Sequence, residues 1–293
     1  MKTLVIGGTG MVGNVVVAGL LKQGVSVRVM SHSPEKLKKL PAGVEGFRAD
    51  LDDPDTLPAA FNGMDSVFLL NAVGLNETDK GLLAVAAAKT AKVKKIVYLS
   101  VFMPEGSERI PHFRSKLPVE KAIKESKIAY TILRPNNFFQ NDLWLKDAIM
   151  QYGIYPQPIG GKGVNRVDVR DIADCAINAL MKSGYEGQTY EVHGPDTLTG
   201  EAIAGIYTKQ LGREIRYSGD DLDAWAARVK STMPEFLVAD MRIMYQFFHD
   251  RGMISAAEEL EKTQKLLGRK PRSFDEFVKE TTSEWRRKVP KAA

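Results

Sequence analysis

The 293-residue sequence is poor in the residues that build disulfide frameworks and metal sites. It has one cysteine, Cys175, so no disulfide can form within the chain, and this usage favours a reducing, cytoplasmic location. The four histidines show no metal-ligand spacing with one another or with the cysteine, and no metal site is predicted. The Gly-x-Ser-x-Gly elbow of hydrolases and the Walker phosphate loop are also absent. Hydrolase, P-loop and metal-dependent chemistries are therefore not expected.

Long apolar runs and clusters of one charge are lacking as well. No stretch of about 18 apolar residues exists, so no membrane contact is expected. The opening MKTLVIGGTG lacks the apolar run of a signal peptide. The net charge is +5, but the basic residues are spread out and match no nucleic-acid reader motif. A small anionic ligand fits this balance better than nucleic acid does.

Short β-branched and apolar runs alternate with stretches of helical periodicity through the first 195 residues. Seven runs predict strands, at residues 3–7, 25–30, 44–49, 65–70, 94–100, 129–135 and 188–194. The stretches between them predict helices, at residues 11–24, 33–40, 53–61, 78–91, 115–126 and 167–183. A repeated strand–helix pattern builds right-handed crossovers and a parallel sheet. The predicted fold class is therefore α/β, a Rossmann-type doubly wound parallel sheet of about seven strands.

Several residues are expected at particular helix positions. Gly24 is expected to follow the first helix, and Ser33, with Pro34 after it, to cap the second. Asp53 is expected to cap the third. Cys175 falls on the apolar face of the helix at 167–183 and is expected to be buried and inert.

From residue 199 onward the pattern becomes mainly helical, with helices predicted at 199–212, 220–231, 234–252 and 273–289. A smaller, mainly α C-terminal lobe is therefore predicted. Residues 1–155 form the expected NAD(P)-binding domain, to which 165–195 return as a helix and the last strand. Residues 196–293, together with 156–164, form the expected substrate lobe. We expect this lobe to pack on the carboxyl edge of the sheet and cover a cleft.

The segment IGGTGMVG follows the first strand and opens the first helix. Its glycines suit a dinucleotide-binding turn: the first permits the tight turn, the second admits a pyrophosphate, and the third allows close helix packing. The helix N-terminus offers free N–H groups to the same anion. The residues of this loop expected to contact a dinucleotide are Gly7, Thr9, Gly10, Met11, Val12 and Gly13.

The end of the second strand lacks the Asp or Glu with which NAD-binding proteins hold the ribose hydroxyls. The residues found there are Ser31, His32, Ser33 and Lys36. Hydroxyl, imidazole and ammonium groups can bind a 2′-phosphate that a carboxylate would repel, so NADP(H) is the predicted cofactor. Asp50 and Leu51 end the third strand, where they either lie beside the adenine or serve as a cap for the next helix.

Five segments together resemble the NmrA-like branch of the atypical short-chain dehydrogenases. They are GGTGMVG, HFRSKLPVE, YTILRPNNFFQN, VDVRDIA and YEVHGPDTLTGEAIA, within residues 4 to about 205. The resemblance implies an NADP-binding Rossmann fold with a small C-terminal lobe. The family includes quinone, azo-dye and triphenylmethane reductases, and also dinucleotide sensors without known turnover.

The resemblance also implies the position of the active site. Ordinary short-chain dehydrogenases use Tyr-x-x-x-Lys; here Lys116 matches the lysine, and His112 occupies the tyrosine position. Lys116 is then expected to contact the nicotinamide ribose. His112 either supplies a proton, as an imidazole can at neutral pH, or points into solvent. A spacing of four residues places both on one helical face.

Two further segments are expected near the nicotinamide. Asn71 and Ala72, after the fourth strand, should pass under its ribose. Asn136 and Phe138, after the sixth strand, should line the substrate end, where an aromatic ring can stack on a flat acceptor. One of Phe138 and Phe139 is expected in the core instead.

These residues predict an NADPH-dependent reductase that transfers hydride to a planar, electron-poor acceptor such as a quinone, an imine or a dye. Such acceptors form stabilised anions, so a dedicated phenol is less necessary. The alternative is a regulatory NADP(H) sensor with a protein partner. A nucleotide-sugar epimerase fits less well, because oxidising a sugar hydroxyl needs the missing tyrosine. A homodimer is compatible with each reading.

Overall fold

The structure is a computed structural model, and it describes residues 1–287. The end of the predicted C-terminal lobe, residues 288–293, lies outside the described residues, and so do the last two residues of the helix predicted at 273–289. No helix within residues 1–287 combines the length and the apolar character needed to cross a bilayer.

The described chain contains strands, α-helices and three 3-10 helices. The strands are β1 Lys2–Ile6, β2 Ser26–Ser31, β3 Val44–Arg48, β4 Ser66–Leu69, β5 Lys95–Leu99, β6 Ala129–Pro135, β7 Ile154–Tyr155, β8 Gln188–Val192 and β9 Arg216–Tyr217. The first helices are α1 Met11–Lys22, α2 Pro34–Leu37, α3 Leu57–Phe61, α4 Glu77–Thr90, α5 Pro111–Arg114, α6 Leu117–Glu125, α7 Lys146–Tyr152 and α8 Val169–Met181. The C-terminal helices are α9 Gly200–Leu211, α10 Leu222–Val229, α11 Glu235–Arg251, α12 Ala257–Leu267 and α13 Phe274–Arg287. The 3-10 helices are Pro54–Thr56, Ser107–Arg109 and Phe139–Leu145.

Seven strands form one parallel sheet in the order β3-β2-β1-β4-β5-β6-β8. The chain runs outward from β1 to β3, then returns to the other side of β1 with β4. Open sheets of this kind bind ligands at the carboxyl ends of the strands, where the order reverses. The predicted Rossmann-type sheet is confirmed, including its seventh strand, β8.

Helices cover both faces of the sheet. On one face, α1 and α8 pack side by side, and Val16 and Ile172 are fully buried there. On the other face, α3, α4 and α6 bury residues such as Phe61 and Ile123. Cys175 of α8 is fully buried, as predicted, and burial raises the pKa of its thiol well above the usual value.

Four of the C-terminal helices, α9, α10, α11 and α13, share a third core with the loops that leave β5 and β6, whereas α12 packs on α8 and β8. Phe102, just after β5, and Phe139, just after β6, belong to the same buried cluster as Phe248 of α11 and Phe274 of α13. These loops lie at the carboxyl ends of the strands. The helical region therefore packs at the edge of the sheet that the sequence predicts.

A fully buried ion pair lies against the C-terminal helical region. The guanidinium of Arg166 lies 2.8 Å from the carboxylate of Asp142, and neither side chain is exposed. The hydroxyls of Tyr155 and Tyr207 donate to the same carboxylate at 3.3 and 3.2 Å. The guanidinium also lies over the ring of Phe274, 5.1 Å from its centroid. Burial, followed by the charge of Asp142, raises the pKa of both tyrosine hydroxyls well above the usual value.

The helix-end predictions hold at two places and fail at one. Gly24 follows α1 with a φ of 71°, and Ser33 caps α2 by accepting the Lys36 N–H. The Asp53 cap is wrong: its side chain makes no cap bond, and the segment begins as a 3-10 turn before α3. The hydroxyl of Thr56 donates to the Asp53 carbonyl at 2.6 Å and holds this tighter turn.

The helix predicted at 115–126 is confirmed as α6, Leu117–Glu125. A separate short helix, α5, precedes it, with Ser115 and Lys116 between the two. A continuous helix would need an N–H at residue 118 to reach the carbonyl of Arg114, and Pro118 has none. The sequence patterns also missed α7, α12 and the small parallel pair β7–β9.

Candidate functional site

The turn after β1 accepts only glycine at two positions. Gly7 has a φ of 79°, and a Cβ there would lie 2.9 Å from the carbonyl oxygen of Leu70. A Cβ at Gly13 would lie 2.1 Å from the carbonyl oxygen of Gly7. Gly10 begins α1 without a side-chain cap, so the first helical N–H groups have no side chain covering them. Val12 is buried in the core, so it can reach a ligand only through its backbone.

The remaining predicted loop residues lie close to this turn. Thr9 and Met11 are half-buried, and Ala72 is exposed in the loop after β4. The contact between Gly7 and Leu70 places the β1 and β4 loops side by side at the reversal of strand order. Both loops are thus available to one extended ligand.

The end of β2 presents hydroxyls and exposed cationic or imidazole groups. The hydroxyl of Ser31 accepts the Ser33 N–H at 3.2 Å, and the hydroxyl of Ser33 accepts the Lys36 N–H at 3.4 Å. The side chains of His32 and Lys36 are exposed. Within residues 1–287, Lys36 forms no ion pair. Its ammonium is therefore free to meet an anion.

Asp50 closes its own turn. Its carboxylate accepts the Asp52 N–H at 3.0 Å, and its backbone N–H bonds the Thr56 hydroxyl at 3.1 Å. Leu51 is buried at 9% exposure and packs into the core under α3. Asp50 therefore closes a turn and does not cap the next helix, and the adenine contact of both residues stays a prediction.

Lys116 is paired with a buried carboxylate that the sequence did not suggest. Its Nζ lies 2.5 Å from Oε1 of Glu77, and the two side chains are 7% and 1% exposed. The other carboxylate oxygen accepts the Ser115 hydroxyl at 3.0 Å. Glu77 is the first residue of α4, where the helix dipole favours a negative charge. The lysine charge is therefore balanced within the protein.

Asn71 joins the same group. Its Nδ2 donates to the Glu77 carbonyl at 3.1 Å, while its Oδ1 is buried without a partner among residues 1–287. The structure thus brings together Asn71 and Lys116, the predicted nicotinamide-side residues, through Glu77. An unpaired buried carbonyl oxygen costs about 1–3 kcal/mol, and a donor at this position would recover that cost.

Neither a serine nor a tyrosine replaces the missing phenol. The hydroxyl of Ser100, after β5, donates to Glu120 at 2.6 Å, and Arg134 holds the same carboxylate with two nitrogens at 2.9 and 2.7 Å. Tyr98 is fully buried. Burial, followed by the charges of Glu77 and Glu120, raises the pKa of its hydroxyl far above the usual value.

His112 contacts the C-terminal region, whereas Lys116 contacts Glu77. Its Nδ1 lies 2.6 Å from Oδ1 of Asp240 on α11, and its backbone N–H donates to Oδ2 at 3.0 Å. The expectation that one helix carries both residues on one face is wrong, because α5 ends at Arg114 and α6 begins at Leu117. His112 does not simply point into solvent, since its side chain is 10% exposed.

The two predicted substrate residues differ in their surroundings. Asn136 is 1% exposed; its Nδ2 donates to the Met253 carbonyl at 2.8 Å, and its Oδ1 accepts the Asn137 N–H at 2.7 Å. These bonds give it a structural role, and its contact with substrate stays a prediction. Phe138 is half-buried while Phe139 is fully buried, so the core residue of this pair is Phe139.

Comparison with known proteins identifies the group to which these features belong. The model of the NmrA-like family matches residues 1–278. The chain belongs to the NmrA-like family. The resemblance seen in the motifs is thereby confirmed.

Individual members of the family are similar over nearly the whole chain. The NAD(P)H azoreductase of Xenophilus azovorans is 34% identical over 280 residues, which cover 94% of this chain and 96% of that protein. The NADPH-dependent quinone oxidoreductase QOR2 of Escherichia coli, solved with NADPH, has a TM-score of 0.85 at 24% identity and covers 96% and 99% of the two chains. The triphenylmethane reductase of Citrobacter sp. has a TM-score of 0.85 at 24% identity and covers 97% and 100%. The two structures confirm the fold.

Glu77 and Asp240 are the site residues that sequence reasoning missed. One signal for Asp240 was present, because it shares a helical stripe with the buried residues Met244 and Phe247. An acid in such a stripe needs a buried partner. Glu77 carried no comparable signal, since an acidic residue in the first turn of a helix is common.

Proposed function

We propose that the protein is an NADPH-dependent reductase that transfers hydride to a planar, electron-poor acceptor such as a quinone, an imine or a dye. The observation that carries this proposal is the near full-length similarity to an NAD(P)H azoreductase. Its support in the site is the combination of a lysine at the expected position and an imidazole in place of the phenol. Acceptors of this class place the incoming charge on a conjugated system and need less help from an acid.

The chain's own residues fit the cofactor. The glycine turn leaves no room for a Cβ at Gly13, and α1 begins without a side-chain cap, as a pyrophosphate site requires. Ser31, His32 and Lys36 would hold the 2′-phosphate, with Ser33 beside them. When bound, NADPH supplies the hydride.

Other predicted contacts belong to the same proposal. Asp50 and Leu51 would lie beside the adenine, and Asn71, Ala72 and Lys116 beside the nicotinamide ribose. Glu77 holds the lysine in place and neutralises it, so Lys116 acts by position rather than by net charge.

We also propose which regions of the chain bind the cofactor and which bind the substrate. Residues 1–155 with 165–195 bind the dinucleotide, and 196–293 with 156–164 form the substrate lobe, to which Asn136 and Phe138 contribute from the β6 loop. The buried cluster shared by the C-terminal helices and the β5 and β6 loops supports this arrangement. A cytoplasmic site of action goes with the single buried thiol.

Steady-state oxidation of NADPH against a panel of quinones, azo dyes and imines tests the proposal. Saturable turnover with one class is expected, together with tighter binding of NADPH than of NADH by calorimetry. NADPH binding without turnover across the panel would contradict the reductase and support the NADP(H) sensor. The sensor is the second candidate because Leu143 and Trp144 are 43% and 83% exposed, as surfaces that bind partners often are.

A further inference from the structure

The contact between His112 and Asp240 has a geometry that fixes the imidazole. One carboxylate oxygen takes Nδ1 and the other takes the backbone N–H of the same residue, at 2.6 and 3.0 Å. Asp240 is 6% exposed, so water does not weaken this pairing. Nε2 contacts no polar group of residues 1–287, yet it is not among the buried polar atoms that lack a partner. Nε2 is therefore the ring nitrogen that remains accessible to a ligand.

We propose that Asp240 is a positioning residue that keeps a proton on Nδ1 of His112 and leaves Nε2 to deliver a proton to the acceptor. This inference rests on the proposed reductase function. A carboxylate accepts only, so Nδ1 must be the donor in this contact whenever Asp240 is ionised. The proton that is given leaves Nε2 of the imidazolium, while Nδ1 keeps its hydrogen and its bond to Asp240.

Several charged groups surround His112. Asp240 faces it from α11. The 3-10 helix Ser107–Arg109 packs against α5 and carries Glu108 and Arg109, and Arg109 is paired with Asp250 of α11 at 3.2 Å. On its own helix Arg114 is exposed. Asp240 is therefore the group that fixes the orientation of the ring.

The surface beside Asp240 suits a flat acceptor. Phe236 and Ile243 lie about one helical turn before and after Asp240 on α11, and they are 39% and 38% exposed. Large exposed apolar side chains on both sides of a buried carboxylate give an aromatic acceptor a surface to contact. Helix α11 would thus supply both the acceptor contact and the orientation of the proton donor.

The proton balance differs between acceptors. A quinone gains a hydride, which carries both electrons, and one proton, which Nε2 gives to the oxygen; His112 is left neutral with its Nδ1–H intact. An azo group takes the same two species at its nitrogens. A cationic triphenylmethane dye takes the hydride alone at its central carbon and becomes neutral. Its reduction needs no proton.

This difference provides the kinetic test. We would measure kcat/KM for menadione and for malachite green in the full chain and in Asp240→Asn, His112→Gln and Asp250→Asn. The ratio of menadione to malachite green is expected to fall tenfold or more, roughly the effect of a lost general acid, in the first two variants. Asp250→Asn is the matched control, since this carboxylate lies on the same helix at 44% exposure. A ratio unchanged in Asp240→Asn would overturn the proposal.

A second readout does not depend on turnover. Nitrogen-15 NMR of the protein without cofactor, at a pH where the imidazoles are neutral, reports which ring nitrogen of His112 carries hydrogen, with His112→Gln giving the assignment. We expect the Nδ1–H tautomer in the wild type and its loss in Asp240→Asn. An Nε2–H tautomer in the wild type would overturn the proposal. A wild type that oxidises NADPH with none of the quinones, azo dyes and imines of the panel would refute the reductase function instead, and the tautomer would still test the role of Asp240 in holding Nδ1.

Discussion

The buried pair of Lys116 and Glu77 predicts a non-additive loss of stability. Lys116→Met leaves a carboxylate that is 1% exposed with only the Ser115 hydroxyl beside it, and Glu77→Gln leaves an ammonium without its counter-charge. Removing one partner of a buried pair costs about 3–5 kcal/mol. At about 2 °C per kcal/mol for a chain of this size, each single variant should melt roughly 6–10 °C below the wild type.

The double variant Lys116→Met/Glu77→Gln carries no uncompensated charge and should recover most of that loss. Thermal unfolding followed by circular dichroism, without cofactor, measures all four proteins. Lys38→Met is the matched control. Lys38 and its partner Glu35 are 71% and 73% exposed, and an exposed pair contributes only about 0.2–1 kcal/mol to the free energy of unfolding. If the two single losses simply add in the double variant, the pair does not stabilise the site as we argue. NADPH affinity by calorimetry should stay weak in the double variant even where stability returns.

Three further changes test other parts of the site. Gly13→Ala places a Cβ 2.1 Å from a backbone carbonyl oxygen and should lower both the melting temperature and NADPH affinity. Gly205→Ala, in an open position of α9, is the control and should stabilise the fold by about 1 kcal/mol. Equal effects of the two substitutions would argue against the tight turn. Lys36→Ala should weaken NADPH binding about tenfold by calorimetry and leave NADH binding unchanged, while the control Lys38→Ala should change neither affinity. An equal loss of affinity for both dinucleotides would contradict the contact between Lys36 and the 2′-phosphate. Cys175 should not react with a disulfide reagent at pH 8 in the native protein, because burial raises the pKa of the thiol, and should react fully in guanidinium; rapid native reaction would contradict its burial.

The sheet and the dinucleotide loop were predictable because their signals are local. A buried parallel strand reads as a short apolar run, and the turn after β1 needs glycine at fixed offsets. Gly7 and Gly13 meet backbone atoms only a few residues away or on a neighbouring strand. Such constraints leave a direct trace in the sequence.

The partners of the two catalytic candidates were not predictable in the same way. Glu77 is 39 residues from Lys116, and Asp240 is 128 residues from His112. Both contacts depend on how separate helices pack against each other, and this packing cannot be deduced from the spacing of residues along the chain. The interruption between α5 and α6 could be predicted from the missing N–H of Pro118. The helical periodicity of the residues on both sides nevertheless suggested one continuous helix.

The buried pair of Arg166 and Asp142 limits how family members can be recombined. A chimera that grafts the C-terminal helices of one relative onto the sheet of another would separate Tyr207 from the carboxylate to which it donates. A fully buried charge that loses part of its hydrogen bonding destabilises the hybrid, whatever the quality of its apolar packing. Residues 142, 155, 166 and 207 would therefore have to be transferred as one set. A stable hybrid of this chain with a relative therefore needs crossover points that keep this set together.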